Sequence, residues 1–107
     1  LLQVNCSDEP AKGGVAPAGL PELLDAVSSL EALDVRGLMT MAAFDADEPA
    51  QRRTFARLRA LRDAAVARGF VLPELSMGMS GDFGAAVLEG ATILRLGTVL
   101  FGERPAQ

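Results

Sequence analysis

Three side chains that often carry enzyme chemistry are missing from this sequence. Its 107 residues include no His, no Tyr and no Trp. Any reaction would have to proceed without an imidazole or a phenol, two of the groups that transfer protons in enzymes. The single cysteine, Cys6, excludes an internal disulfide, and we expect a reducing, cytoplasmic compartment.

Lysine and long apolar runs are also scarce. Lys12 is the only lysine, whereas there are nine arginines, six of them in residues 52–68, and the net charge of −4 argues against a nucleic-acid surface. No apolar run approaches the roughly 20 residues of a membrane span, and no signal peptide is visible. The acidic residues at 45–48 fit a solvated helix start, and without His or a fixed ligand spacing we predict no metal site.

Strand and helix patterns alternate along the whole chain. Leu20, Leu23, Leu24 and Val27 show the i, i+3, i+4 spacing of a helix. We predict strands at 1–6, 35–41, 73–77 and 91–96, and helices at 20–33, 49–69 and 82–89. This order indicates an α/β protein with a parallel sheet and its helices on one face. A complete (β/α)8 barrel takes roughly 250 residues, so we expect one partial domain over 1–107, half of a barrel.

The last two strands each run into a turn of small residues. Ser80 follows one strand, Gly97 and Thr98 follow the next, and Arg95 lies two residues before Gly97. Loops after adjacent parallel strands commonly hold a phosphate in barrel proteins, so these donors are a candidate anion site. Ser80 could instead be an ordinary helix N-cap, Gly97 and Thr98 a plain tight turn, and Arg95 a partner in a structural ion pair.

Several segments carry a resemblance to a known family. The segments are Gln3-Val4-Asn5, Ala11-Lys12-Gly13-Gly14-Val15, Arg36-Gly37-Leu38-Met39, Leu75-Ser76-Met77-Gly78-Met79-Ser80 with Asp82-Phe83, and Arg95-Leu96-Gly97-Thr98 with Phe101-Gly102. Together they resemble the pyridoxal phosphate homeostasis proteins, single-domain relatives of the N-terminal barrel of alanine racemase. The resemblance implies the C-terminal half of a (β/α)8 TIM-type barrel of fold type III. It also implies that the lysine that binds the cofactor covalently lies on the first strand of the barrel, outside this chain.

The same resemblance implies a role for each candidate site residue. Ser80, Gly97 and Thr98 match the positions that hold the phosphate of pyridoxal 5'-phosphate, and Arg95 matches the group that faces its pyridine nitrogen. Lys12 matches a position where related racemases carry an Arg near the ring hydroxyl, and a solvated loop lysine is the alternative. Met77, in the same motif as Ser80, is included among the cofactor-binding candidates, although the residue type favours filling of the barrel interior over contact with a ligand.

Three functions follow from the resemblance and from the residues that are present. The first is binding and homeostasis of pyridoxal 5'-phosphate without efficient catalysis, because the chain has no Tyr to act as the second base of a racemase. The second is a fragment of a pyridoxal-phosphate-dependent amino-acid racemase or decarboxylase. The third is a structural or phosphate-binding half-barrel. We expect two unpaired strand edges and an open interior, and therefore association with a missing N-terminal half or with a second copy.

Overall fold

The structure is a computed structural model that describes residues 1–8, 13–30, 34–43, 46–79 and 81–95. Strands and helices alternate along it in the predicted order, and a short 3-10 turn at Pro17–Gly19 leads into the first helix. The elements are β1 (Leu2–Gln3), α1 (Leu20–Ser28), β2 (Gly37–Met39), α2 (Glu48–Ala67), β3 (Glu74–Met79), α3 (Phe83–Leu88) and β4 (Ile93–Arg95).

The four strands form one parallel sheet in the order β1-β2-β3-β4. Leu2 lies opposite Leu38, and Leu38 lies opposite Leu75, so consecutive strands pair in matching register. The predicted α/β class and the parallel pairing of the first two strands are confirmed. Four strands in chain order are half of the eight that close a barrel.

The hydrophobic core lies between the sheet and its helices. Leu75 and Met77 alternate with Ser76 on β3, so both point to one face of the sheet, and both are fully buried. Phe55 and Leu58, which lie on the same side of α2, are buried in the same cluster. The core members are Val4, Cys6, Leu20, Leu24, Leu38, Ala42, Phe55, Leu58, Ala65, Leu72, Leu75, Met77, Ala85 and Ala86.

Several elements are shorter than the sequence predicts. The helix predicted at 20–33 ends at Ser28, and Leu30 beyond it is 50% exposed. The hydroxyls of Ser28 and Ser29 donate to the carbonyls of Asp25 and Ala26, at 2.9 and 2.8 Å. Such side-chain hydrogen bonds compete with the backbone hydrogen bonds of the helix and favour the end of α1 at this point. The first two strands are also shorter than predicted, whereas β3 runs two residues further, to Met79.

The outer edge of β1 is not open as predicted, because the chain folds back along it. The Val15 amide donates to the Gln3 carbonyl at 2.9 Å, and the Asn5 amide donates to the Val15 carbonyl at 2.8 Å. Gly14 adopts φ +104, and a Cβ there would lie 2.8 Å from the Gln3 carbonyl oxygen, so only glycine fits this return. The prediction of an unpaired edge is therefore wrong at the end of β1.

Candidate functional site

The carboxyl ends of β3 and β4 lie side by side. Met79, the last residue of β3, pairs with Arg95, the last residue of β4. In the sequence Ser80 directly follows Met79, and Gly97 follows Arg95 by two positions. Parallel neighbouring strands end at the same edge of a sheet, which is where barrel proteins bind ligands. The predicted site residues Ser80, Gly97, Thr98 and Lys12 themselves lie outside the described residues.

A glycine changes the direction of β3 just before its end. Gly78 has φ +105, and a Cβ at this position would lie 2.6 Å from the Ala86 Cβ and 2.8 Å from the Leu94 Cδ2. The register between β3 and β4 shifts over the same residues. The irregularity lets α3 approach the sheet closely, and Met79 after it is 45% exposed.

Asp82 holds the turn that follows β3. Its Oδ1 accepts a hydrogen bond from the Met79 amide at 2.7 Å, and its own amide donates to the Met79 carbonyl at 3.1 Å. Asp is a preferred N-cap residue, but the Asp82 side chain makes no capping bond to α3. The Asp82 carboxylate therefore links Asp82 to Met79, the residues on either side of positions 80 and 81 in the sequence.

Arg95 has an unusual set of contacts. Its Nη2 donates to the Thr40 carbonyl at 3.1 Å, whereas its Nε is buried and has no hydrogen-bond partner among the described residues. In the described part of the chain no carboxylate forms an ion pair with it, so the structural ion pair is not seen there. A buried donor without an acceptor costs about 1–3 kcal/mol.

Met77 does not share the surroundings of Arg95. It is fully buried among core residues, on the face of β3 that packs against the helices. A side chain without exposed surface offers none to a ligand, so the structure does not support the predicted contact between Met77 and a cofactor. Met77 and Met79 are two residues apart but differ in surroundings, because the register shift at Gly78 between them breaks the regular alternation of faces along β3.

Thr40 is a polar residue of the site that the sequence did not single out. It is 1% exposed and follows β2, where its Oγ1 donates to the Val4 carbonyl at 2.6 Å and accepts from the Cys6 amide at 3.4 Å. Its amide donates to the Ser76 carbonyl at 3.1 Å. The only sequence signal was a hydroxyl in an otherwise apolar strand pattern.

The Cys6 thiol lies beside this network. Burial raises its pKa above the usual value, and the hydrogen bond with Thr40 and the charge of Arg57 partly oppose that effect. Arg57 itself donates to the Cys6 carbonyl at 3.3 Å and to Asp8 at 3.0 Å. The thiol is therefore protonated near neutral pH.

The described residues contain no group of three or more His, Cys, Asp or Glu that could hold a metal ion. Within the same ranges, no helix has both the length and the apolar composition that crossing a membrane requires.

Comparison with known proteins gives consistent matches over nearly the whole chain. Residues 1–105 match the family of the alanine racemase N-terminal domain. The chain is 47% identical over 105 residues to a pyridoxal phosphate homeostasis protein of Aquifex aeolicus and 50% identical over 103 residues to one of Pseudomonas aeruginosa. The structure of PipY from Synechococcus elongatus PCC7942 with PLP bound is similar at a TM-score of 0.80 and 38% identity.

The lengths of these proteins differ from that of the chain. The two matches to homeostasis proteins cover 97% and 96% of the chain but 46% and 44% of the relatives, and PipY is covered to 47%. The chain therefore spans slightly less than half the length of the proteins it matches.

Proposed function

Because this chain belongs to the alanine racemase N-terminal domain family, we propose that it binds pyridoxal 5'-phosphate and serves homeostasis of that cofactor without efficient catalysis. The observation that carries the proposal is the buried Nε of Arg95, at the shared end of β3 and β4, which has no hydrogen-bond partner among the described residues. The names of the relatives and the PLP bound by PipY support the same ligand.

In this proposal the phosphate is held by Ser80, Gly97 and Thr98. Hydroxyl and amide donors from two neighbouring loops suit an anion, and Gly97 allows close approach of the backbone. Asp82 supports this arrangement by fixing the Met79 amide next to Ser80. Lys12 is proposed near the ring hydroxyl, where a cation would stabilise a phenolate oxygen.

Arg95 faces the ring nitrogen in this proposal. When bound, pyridoxal phosphate supplies an aldehyde that captures amines and a ring that withdraws electrons. A guanidinium has donors only, so in this proposal it donates to the ring nitrogen and leaves that atom without a proton of its own. Electron withdrawal by the ring is then weak, which disfavours reactions that need a strongly stabilised carbanion. The absence of Tyr and His from the sequence supports the same non-catalytic role.

The proposal also includes a protein partner that completes the barrel. We place the chain in the C-terminal half, so the missing N-terminal half, which would carry the covalent lysine, or a second copy of the chain would cover the open side of the sheet. A cytoplasmic location, expected from the single cysteine, is part of the same proposal.

Circular dichroism of added pyridoxal phosphate tests the ligand. The cofactor is achiral, so its absorption band becomes optically active only when the protein holds it. We expect an induced band with the wild-type chain and at least about tenfold weaker binding in Arg95→Met, which loses a charged donor. Arg53→Met is the matched control, since Arg53 is an exposed residue of α2. An absent band, or equal losses in both variants, would contradict the proposal.

Backbone amide shifts in a titration with inorganic phosphate locate the anion. We expect the largest changes at residues 80, 97 and 98 and smaller ones along the arginine-rich helix α2. Ser80→Ala should weaken the changes, whereas Ser29→Ala, at an exposed serine after α1, should leave them unaltered. Changes centred on α2 would show that the phosphate site is misassigned.

A further inference from the structure

Among the described residues, the Arg95 guanidinium makes a single hydrogen bond, to the Thr40 carbonyl. Arg95 lies on β4 and Thr40 follows β2, with β3 between them in the sheet. The side chain crosses the end of β3, and its Nη2 reaches the Thr40 carbonyl at 3.1 Å. A guanidinium is planar and its N–H directions are fixed relative to one another. The position of the Thr40 carbonyl therefore limits the direction in which the free Nε–H of Arg95 points.

Thr40 is itself held on two sides. Its amide donates to the Ser76 carbonyl on β3, and its hydroxyl bonds both the Val4 carbonyl and the Cys6 amide at the end of β1. The side chain is 1% exposed, so water does not compete for these bonds. Without the hydroxyl, the buried Val4 carbonyl and Cys6 amide at the end of β1 would lose this hydrogen-bond partner. The end of β2 would then lose its side-chain hydrogen bonds to the end of β1.

We infer that Thr40 is a positioning residue, whose hydroxyl fixes the carbonyl that orients Arg95 toward the ligand. The inference rests on the proposed function for the identity of that ligand, but its geometric part does not. The hydroxyl acts on Arg95 indirectly. It bonds the Val4 carbonyl and the Cys6 amide, which fixes the position of Thr40, and the Thr40 carbonyl then accepts a hydrogen bond from the Arg95 guanidinium. In the described part of the chain no carboxylate forms an ion pair with Arg95, so none of the described carboxylates neutralises its charge.

The first test follows the Arg95 Nε–H by nuclear magnetic resonance in the full chain, with its peak identified through Arg95→Lys. We expect exchange of this proton with water to become about tenfold faster in Thr40→Val, as for the loss of one hydrogen bond, and to change less than about twofold in Thr40→Ser. Thr54→Val is the matched control, because Thr54 is also buried and, among the described residues, its hydroxyl bonds the Ala50 carbonyl of its own helix at 3.1 Å and not the β1 or β2 segments. Unchanged exchange in Thr40→Val, or equal acceleration in Thr54→Val, would overturn the inference.

A second measurement leaves Thr40 unaltered and serves if Thr40→Val does not fold. In Arg95→Met the carbonyl carbon of Thr40 loses its guanidinium donor, so its chemical shift should change more than that of the neighbouring Met39 and Met41. An unmoved Thr40 carbonyl would show that Arg95 is not held there, and would overturn the inference by itself.

Added pyridoxal phosphate separates this inference from the proposed function. If the cofactor is bound, the pH midpoint of its absorption change should move in Thr40→Val and stay at the wild-type value in Thr40→Ser and Thr54→Val. A midpoint unmoved in Thr40→Val contradicts a positioning role toward the ligand. If no variant binds the cofactor while the mobility of Arg95 still depends on the Thr40 hydroxyl, the proposed function fails and the positioning of Arg95 stands.

Discussion

The Cys6 thiol is a residue whose chemistry depends on where the fold buries it. Burial raises its pKa above the usual value of about 8.5, so less thiolate is present at a given pH in the folded chain than in the unfolded one. As the pH rises, the Cys6 thiol therefore loses its proton at a lower pH in the unfolded chain than in the folded chain. The contribution of Cys6 to stability is complete below the usual pKa and is lost as the pH rises toward the raised value.

Alkylation with iodoacetamide checks this prediction. Because the thiolate is the nucleophile, we expect Cys6 to react at least about tenfold more slowly at about pH 8 in the native chain than in urea. Mass spectrometry of the intact protein measures the rate, and a short peptide with one cysteine corrects for the effect of urea on the reagent. Equal rates in the native and unfolded chain would contradict a buried, protonated thiol.

Single-residue roles were predictable only where the sequence itself carries a motif. Arg95 stands out as a cation in an apolar strand, and its turn has a recognisable pattern. The role of Thr40 depends on partners 36 and 55 positions away, and these meet only because β1, β2, β3 and β4 pair in one register. Met77 lies in the same motif as Ser80, and the motif did not reveal that its side chain is buried in the core beside the helices.

Helices α2 and α3 are joined by a cluster of charges that the sequence pattern did not indicate. Glu89, whose side chain is 8% exposed, accepts from the Arg52 Nε at 2.8 Å and lies 3.2 Å from the Arg59 Nη1. The Arg59 Nη1 also reaches the Glu89 carbonyl at 3.3 Å. One buried carboxylate thus binds two arginines, and either arginine alone still compensates its charge.

The cluster predicts a non-additive response to substitution. We expect Arg52→Ala or Arg59→Ala to lower the free energy of unfolding by about 1 kcal/mol each. The double variant should lose about 3 kcal/mol or more, because it leaves Glu89 buried without a cation. Urea denaturation measures all three values. Arg36→Ala is the control and should change stability by less than about 0.5 kcal/mol, since Arg36 and Asp34 form an exposed pair. Additive losses would show that the two arginines act independently.

The elements themselves were largely predictable, and their ends were not. Apolar spacing located α1 and α2, since Leu20, Leu24, Phe55 and Leu58 do pack in the core. Spacing alone did not show that serine hydroxyls end α1, or that Gly78 lets β3 continue to Met79 in a shifted register. Such ends depend on local hydrogen bonds and close contacts rather than on periodicity.

The sheet as a whole has one covered face and one open face. Leu94 on β4 packs against the core, so its neighbours Ile93 and Arg95 lie on the opposite side, which we call the inner face. Ile93 is 37% exposed on this face, and Met79 at the end of β3 is 45% exposed. Among the described residues, 13–15 cover the end of β1, so we expect a partner at the inner face or beside β4.

We therefore expect the chain alone to associate through the inner face. Light scattering across a dilution series should give a mass above that of the monomer at high concentration. Ile93→Lys places a charge on the inner face and should weaken association by about tenfold or more, because burying an unpaired charge is costly. Val66→Lys is the matched control, since Val66 is 45% exposed but lies on α2, behind the sheet. A chain that stays folded and monomeric at every concentration, or one that Val66→Lys disrupts as strongly, would contradict association through the open side of a half-barrel.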